Sequence, residues 1–108
     1  MLEPILGNST VEKILLFIFV YGEGYPTRMS NIFCISLNGI QQQLKRLEDG
    51  GVLVSQLKGK TRIYKFNPRY PFLNELKNIL EKALELLPRD EVKKYYRQRT
   101  RPRRKGKP

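Results

Sequence analysis

The segment from Ser36 to Asn67 places the strongest constraint on how this chain can fold. It opens with apolar residues at the three- and four-residue spacing of one helix face, namely Leu37, Ile40, Leu44 and Leu47. Ser36 is a suitable N-cap, because its hydroxyl can accept a hydrogen bond from a free amide of the first turn. The pair Gly50-Gly51 supplies the left-handed residue with which many helices end. The pattern therefore predicts one amphipathic helix with a defined start and stop.

Two short strands are predicted after this helix. The outgoing strand is apolar over Val52, Leu53, Val54 and Leu57, and the returning strand contains Ile63, Tyr64 and Phe66. The basic turn Lys58-Gly59-Lys60 joins them, as glycine-containing turns join the strands of hairpins. A polar, basic helix face followed by a basic hairpin suits a helix in the major groove of DNA with a hairpin beside it.

Two further helices are predicted upstream. Ser9-Thr10-Val11-Glu12 matches a capping box with Ser9 as the N-cap, and the helix that it opens should end at Gly22. Thr27 is predicted to cap a short helix that ends near Phe33. A tight turn would then lead into the helix after Ser36, which makes a helix-turn-helix. Cys34 lies among apolar residues in this turn, and we expect it to be buried as a small apolar side chain.

Two helices carry more apolar surface than a small domain readily buries. The helix Val11–Tyr21 is apolar on nearly every side, so it is either buried centrally or shared between the core and a second subunit. The helix Phe72–Leu87 carries two neighbouring stripes, Leu73, Leu76, Leu80, Ala83 and Leu87, and Phe72, Ile79 and Leu86. Packing within one chain explains either helix alone. Together they favour a homodimer through both.

Charge is unevenly distributed along the 108 residues, which hold 21 Lys and Arg against 10 Asp and Glu, a net charge of +11. Residues 88–108 carry ten basic and two acidic residues, whereas residues 1–87 carry eleven and eight. We therefore predict a folded domain over residues 1–87 and a basic, largely disordered tail over residues 88–108. A balance of this kind favours a polyanionic partner.

Several classes of protein do not fit the sequence. The apolar run Ile14–Val20 is far shorter than the roughly 18–20 residues of a membrane span, and its flanks do not match a secretory signal. The single cysteine fits a reducing compartment, so we predict a cytoplasmic protein with no membrane partner. The chain has no histidine, no glycine-rich phosphate loop and no cluster of metal ligands. We therefore expect neither an enzyme nor a bound cofactor or metal.

The order of elements resembles the winged helix-turn-helix regulators of bacteria and archaea, especially the ArsR and MarR-like groups. The resemblance covers about Asn8 to Leu87, and it is carried by Leu44-x-x-Leu47-x-x-Gly50-Gly51-Val52-Leu53 and by the returning strand over residues 62–67. It implies a mainly helical α+β fold with a two-stranded wing and a C-terminal dimerisation helix. It also implies a homodimeric, sequence-specific regulator of transcription that binds double-stranded DNA. Metal-sensing ArsR proteins use Cys, His and carboxylate ligands, a set that this chain lacks.

The resemblance also implies which residues contact DNA. In the helix after the turn they are Ser36, Asn38, Gln41, Gln42 and Lys45, and in the wing they are Lys58, Lys60 and Arg62. Amide side chains pair with adenine, whereas Lys and Arg favour guanine. In the tail, Arg99, Arg101, Arg103 and Arg104 are predicted to make non-specific contacts. We attribute Gly39, which weakens a helix, to the close approach of a phosphate backbone.

Other interpretations of the same residues stay open. The helix face could simply be solvated, the wing charges could protect strand edges from aggregation, and the tail could serve solubility. Winged helices and arginine-rich tails also bind RNA, although this chain offers no clear aromatic stacking platform. A third possibility is an adaptor whose basic face serves protein assembly.

Overall fold

One apolar helix, α2 (Ser9–Tyr21), lies at the centre of the structure, a computed structural model that describes residues 1 to 96. The elements in chain order are α1 (Glu3–Leu6), α2, α3 (Pro26–Phe33), α4 (Leu37–Asp49), β1 (Leu53–Lys58), β2 (Thr61–Phe66), α5 (Leu73–Leu86), α6 (Arg89–Glu91) and a π-helical turn (Val92–Tyr96). The two strands form one antiparallel sheet. The result is a mainly helical α+β winged helix, as the sequence predicted.

The N-terminus of α2 differs from the predicted capping box. Asn8 is the N-cap, because its side chain accepts a hydrogen bond of 2.8 Å from the N–H of Val11. Glu12 is buried, and its carboxylate accepts a hydrogen bond of 2.9 Å from the N–H of Leu2. Ser9 is thus the first helical residue and not the cap. Asn and Ser cap helices about equally well, so two adjacent candidates could not be separated by sequence.

The buried side chains of α2 point in all directions around its axis. Val11 and the five residues from Ile14 to Ile18 expose at most 3% of their surface within a single chain. Helices α3, α4 and α5 cover part of α2, and α1 and the π-helical turn also pack against it. The central-helix interpretation is therefore correct. These six residues are thus covered within one chain, and only the half-buried Phe19, Val20 and Tyr21 of α2 could contribute to the predicted contact with a second subunit.

The packed domain extends beyond the predicted boundary at Leu87. Tyr96 is 3% exposed, and its ring centroid lies 6.1 Å from that of Phe33. The ring of Tyr95 is closer to Phe33, at 5.1 Å. Burial raises the pKa of the Tyr96 phenol. The predicted tail thus begins with a segment that packs on the core through Val92, Tyr95 and Tyr96. Arg99, Arg101, Arg103 and Arg104 lie outside the described residues.

The helix-turn-helix differs from the prediction at both ends of α3. The N-cap is Tyr25 and the first helical residue is Pro26, so Thr27 is not the cap. Proline suits that position, because its missing N–H would have no partner within the helix. Cys34 is exposed and has φ +57°, so the prediction of a buried thiol is wrong. In this left-handed conformation Cys34 ends α3 by donating its N–H to the carbonyl of Ser30.

The wing is joined to the core through Gly24. The N–H of Gly24 donates to the carbonyl of Tyr64 at 2.9 Å, and the N–H of Tyr64 donates back at 2.8 Å. Gly24 is buried, and a Cβ atom there would lie 3.1 Å from the Phe17 ring and 3.3 Å from Cε of Met29. Glycine therefore lets the backbone pair with the wing while Phe17 packs against it, whereas a Cβ would force Phe17 and Met29 to shift.

We expect Gly24→Ala to lower the free energy of unfolding by about 1–3 kcal/mol, because the added methyl overpacks a core in which Phe17 is 1% exposed. Urea unfolding measures the change. Gly50→Ala is the matched control, since Gly50 has φ −82° and a Cβ there meets nothing closer than 3.4 Å. Equal stability of the two variants would contradict the role assigned to Gly24.

Candidate nucleic-acid interface

The outer face of α4 is polar and exposed. Ile40 and Leu44 are fully buried and hold the helix against α2, which turns Asn38, Gln41, Gln42 and Lys45 outward. From residue 38 to residue 45 the helix advances about 10.5 Å, close to the length of three base pairs. The structure thus brings the predicted helix residues together on one face. Leu37 does not join the predicted core stripe; it is 41% exposed in the first turn.

The beginning of α4 is organised by Ser36. Its hydroxyl accepts a hydrogen bond of 3.0 Å from the N–H of Gly39, so the predicted N-cap is confirmed. A Cβ on Gly39 would lie 3.0 Å from Oγ of Ser36 and 3.4 Å from Cγ2 of Ile35. Glycine is therefore explained by this crowded cap. The attribution of Gly39 to an approaching phosphate backbone is unnecessary.

Not every cation at this surface is unpaired. Nζ of Lys45 lies 3.2 Å from Oδ2 of Asp49, one turn further along α4, and both side chains are well exposed. Exposed pairs of this kind contribute little to stability, so Lys45 can exchange Asp49 for another anion at low cost. Lys58, Lys60 and Arg62, the predicted contact residues of the wing, are exposed.

A hollow of about 430 Å³ lies between α3, α4 and the wing. Its lining comes from the start of α3, from α4 and from the wing, and consists of Tyr25, Pro26, Thr27, Gln41, Lys60, Thr61 and Arg62. The lining contains two cations and no carboxylate. The first turn of α3 has no side-chain cap, and uncapped helix N-termini offer free amides to anions.

Tyr25 and Thr27 were missed by the sequence reasoning as residues of this surface. The proline between them could have located them, because proline often occupies the first position of a helix. The remaining predicted wing residue, Lys58, is exposed but does not line the hollow. Lys58 lies at the end of β1, whereas the wing residues that line the hollow are Lys60 in the turn and Thr61 and Arg62 in β2.

Two negative observations apply to residues 1 to 96. Within that range, no group of three or more Asp, Glu, Cys or His side chains is arranged to hold a metal ion. No helix there is long and apolar enough to cross a membrane.

Comparison with known proteins supports the fold. The solved structure of a mutant form of ZitR from Lactococcus lactis, in apo form, superimposes with a TM-score of 0.55 and 14% sequence identity. The match covers 79% of this chain and 73% of ZitR. No protein-family model and no curated protein sequence matches the chain. At this identity the similarity establishes a shared fold and nothing about ligands.

Substitutions of Ser36 can separate its role as the N-cap of α4 from its predicted contact with DNA. We expect Ser36→Ala to lower the free energy of unfolding by about 1 kcal/mol, because the N–H of Gly39 loses its acceptor. Ser36→Asp keeps an acceptor and should preserve stability, but its charge should weaken binding of any polyanion. Thermal unfolding and binding to a duplex test the pair. An aspartate variant that binds as well as the parent would remove this position from the interface.

Proposed function

We propose that this protein binds double-stranded DNA sequence-specifically as a homodimer and regulates transcription. The observation that carries the proposal is the single surface formed by the amide-rich face of α4, the uncapped start of α3 and the cationic wing. A helix of this diameter fits the major groove, which is about 12 Å wide. The winged-helix fold shared with ZitR is consistent with this use.

In the proposed complex α4 reads bases. Asn38 and Gln42 lie one turn apart on the exposed face. The side-chain amide of each can donate to N7 of adenine and accept from its N6 amino group. Lys45, one further turn along, favours O6 and N7 of guanine. Gln41 points from α4 into the hollow and lies closer to the wing. The row therefore reads about three adjacent base pairs.

The hollow beside α4 suits the DNA backbone. Lys60 and Arg62 supply positive charge from one wall, and the first turn of α3 supplies amides from the other. Contacts to phosphate position a protein on the duplex and carry no sequence information of their own. The hollow would thus set the register in which α4 meets the bases.

Two substitutions separate these roles. Gln42→Ala should lose discrimination at one or two base pairs by about 1–3 kcal/mol, because a bidentate contact to a base is removed. Lys60→Ala should weaken all duplexes to a similar degree and reduce the slope of log K against log salt by about 0.9. Selection from a random duplex library, followed by titrations at several salt concentrations, measures both effects.

Gln43→Ala is the matched control for Gln42→Ala. Gln43 is half-buried and its amide oxygen accepts a hydrogen bond of 3.4 Å from Asn8, away from the proposed contacts. The Gln43→Ala protein should have the same preference for DNA sequence as the parent. A Gln42→Ala protein with an unchanged preference would show that α4 does not read bases. RNA that competes with duplex on equal terms would favour the alternative of an RNA-binding module.

The proposed dimer uses α5 alone. Three large apolar side chains on this part of the chain are exposed at seven-residue spacing, with Phe72 at 63%, Ile79 at 39% and Leu86 at 61%. Leu80 and Ala83, in the neighbouring stripe, are buried in the core. A seven-residue repeat of exposed apolar residues lines one side of a helix and suits contact with a second helix. A second copy of this chain is the occupant we propose.

Charge favours an antiparallel arrangement of the two α5 helices. Glu75 and Lys82 are exposed and flank the apolar seam at the same position in successive heptads. In an antiparallel pair centred on Ile79, each Glu75 lies next to Lys82 of the other copy, and Phe72 meets Leu86. In a parallel pair, each charge would face its own kind, which is unfavourable.

A charge exchange tests this arrangement. Glu75→Lys and Lys82→Glu should each weaken the dimer, because each places like charges across the seam. The double variant should recover most of the loss, since opposite charges face one another again. Sedimentation equilibrium of the full chain gives the dissociation constants. A parent that is monomeric at tens of micromolar would contradict the dimer, and a double variant as weak as the singles would contradict the antiparallel order.

The remaining predictions stay proposals. A cytoplasmic location agrees with a role on DNA, and the lone Cys34 is compatible with reducing conditions. We propose that Arg99, Arg101, Arg103 and Arg104 add non-specific affinity, since the last twelve residues contain seven basic residues and no acidic one. An adaptor function would be favoured over both nucleic-acid functions if neither duplex nor RNA bound.

A further inference from the structure

The side chain of Ser55 in β1 connects the end of α4 with β2. Its hydroxyl donates a hydrogen bond of 2.7 Å to Oε2 of Glu48 in the last turn of α4. The hydroxyl oxygen of Ser55 also accepts a hydrogen bond of 2.9 Å from Nη1 of Arg62 in β2. A serine hydroxyl has one proton, so its donation to Glu48 leaves a lone pair directed at Arg62. The three residues form one chain of hydrogen bonds across α4, β1 and β2.

The position of Glu48 explains why this chain persists. A carboxylate in the last turn of a helix faces the negative end of the helix dipole, which disfavours it. Glu48 is half-buried, so solvent only partly compensates. Ser55 and, behind it, the Arg62 guanidinium supply the missing stabilisation. Asp49, the next residue, is instead exposed, and its carboxylate lies 3.2 Å from Nζ of Lys45.

Strand geometry places Arg62 within reach of Ser55. Ser55 is opposite Tyr64 in the register, and Arg62 is the diagonal neighbour two residues away, on the same face of the hairpin. The pKa of Tyr64 is raised by burial and further by Glu48, which agrees with a carboxylate held close to this face. Arg62 also lines the hollow between α3, α4 and the wing.

We propose that Ser55 is a positioning residue that holds the Arg62 guanidinium at the edge of the hollow, ready for a phosphate. The inference rests on the proposed binding of DNA and assigns a role that none of the predicted contact residues has. A guanidinium has five N–H donors, and the bond to Ser55 uses one. The others stay available, and the side chain has lost much of its rotational freedom before DNA arrives.

The first experiment needs no DNA. NMR of the full chain reports the mobility of the Arg62 side chain through the relaxation of its Nε–H group. We expect a restricted signal in the parent, a mobile one in Ser55→Ala and a restricted one again in Ser55→Thr, which keeps the hydroxyl. Gln56→Ala is the matched control, because Gln56 is exposed on the same strand and should leave Arg62 unchanged.

The second experiment measures affinity for a mixed-sequence duplex across a range of salt. Ser55→Ala should weaken binding about three- to tenfold, because Arg62 must be ordered on binding, while the salt slope stays that of the parent. Arg62→Ala should reduce the slope by about 0.9, because a phosphate contact is lost. The double variant should bind no more weakly than Arg62→Ala, since Ser55 acts only through Arg62.

The outcomes distinguish the inference from the function on which it rests. Binding by the parent, with Arg62 equally restricted in Ser55→Ala, overturns the inference alone. Additive losses in the double variant also overturn it, because Ser55 would then act by another route. A parent that binds no duplex overturns the proposed function and the inference with it.

Discussion

The fold depends on burying α2 on all sides within a small domain. A helix with no polar face needs covering elements in every direction, and this chain supplies them with α3, α4 and α5 together with the segments at both ends of the described residues. That requirement explains why Tyr96, far along a basic and polar stretch, is drawn into the core. It also explains why Val11 and the residues from Ile14 to Ile18 are covered within one chain, so that the proposed dimer rests on α5.

Around this core, a few polar contacts determine where the candidate site lies. The two hydrogen bonds between Gly24 and Tyr64 fix the base of the wing against the start of α3. The hydrogen-bond chain through Ser55, which lies opposite Tyr64 in the hairpin, connects the wing with the end of α4. The hollow that we assign to the DNA backbone lies closer to the hairpin turn, where Lys60, Thr61 and Arg62 line it. The site is therefore held by the domain itself and does not need DNA for its assembly.

Local patterns predicted the parts of the fold that local physics decides. The extent of α4, its Ser36 cap and the hairpin after Gly51 were correct, because periodicity, capping and turn chemistry all agree there. Errors arose where several local solutions are nearly equal in energy or where distant residues decide. The N-cap of α2 is Asn8, one position before the predicted Ser9. Cys34 is exposed because the turn directs it outward at φ +57°. Neither outcome is visible in the neighbouring residues.

The amino-acid order alone determined the winged-helix architecture and the polar, basic chemistry of the α4 face and the wing. Hydrophobic periodicity and capping operate over a few residues, and they leave their record in the sequence. Tertiary structure decided which apolar faces are covered, where the domain ends and which cations share one hollow. It also brought Glu48, Ser55 and Arg62 together, although none of them is adjacent in the chain. These features depend on packing between distant segments, whose relative positions no local pattern specifies.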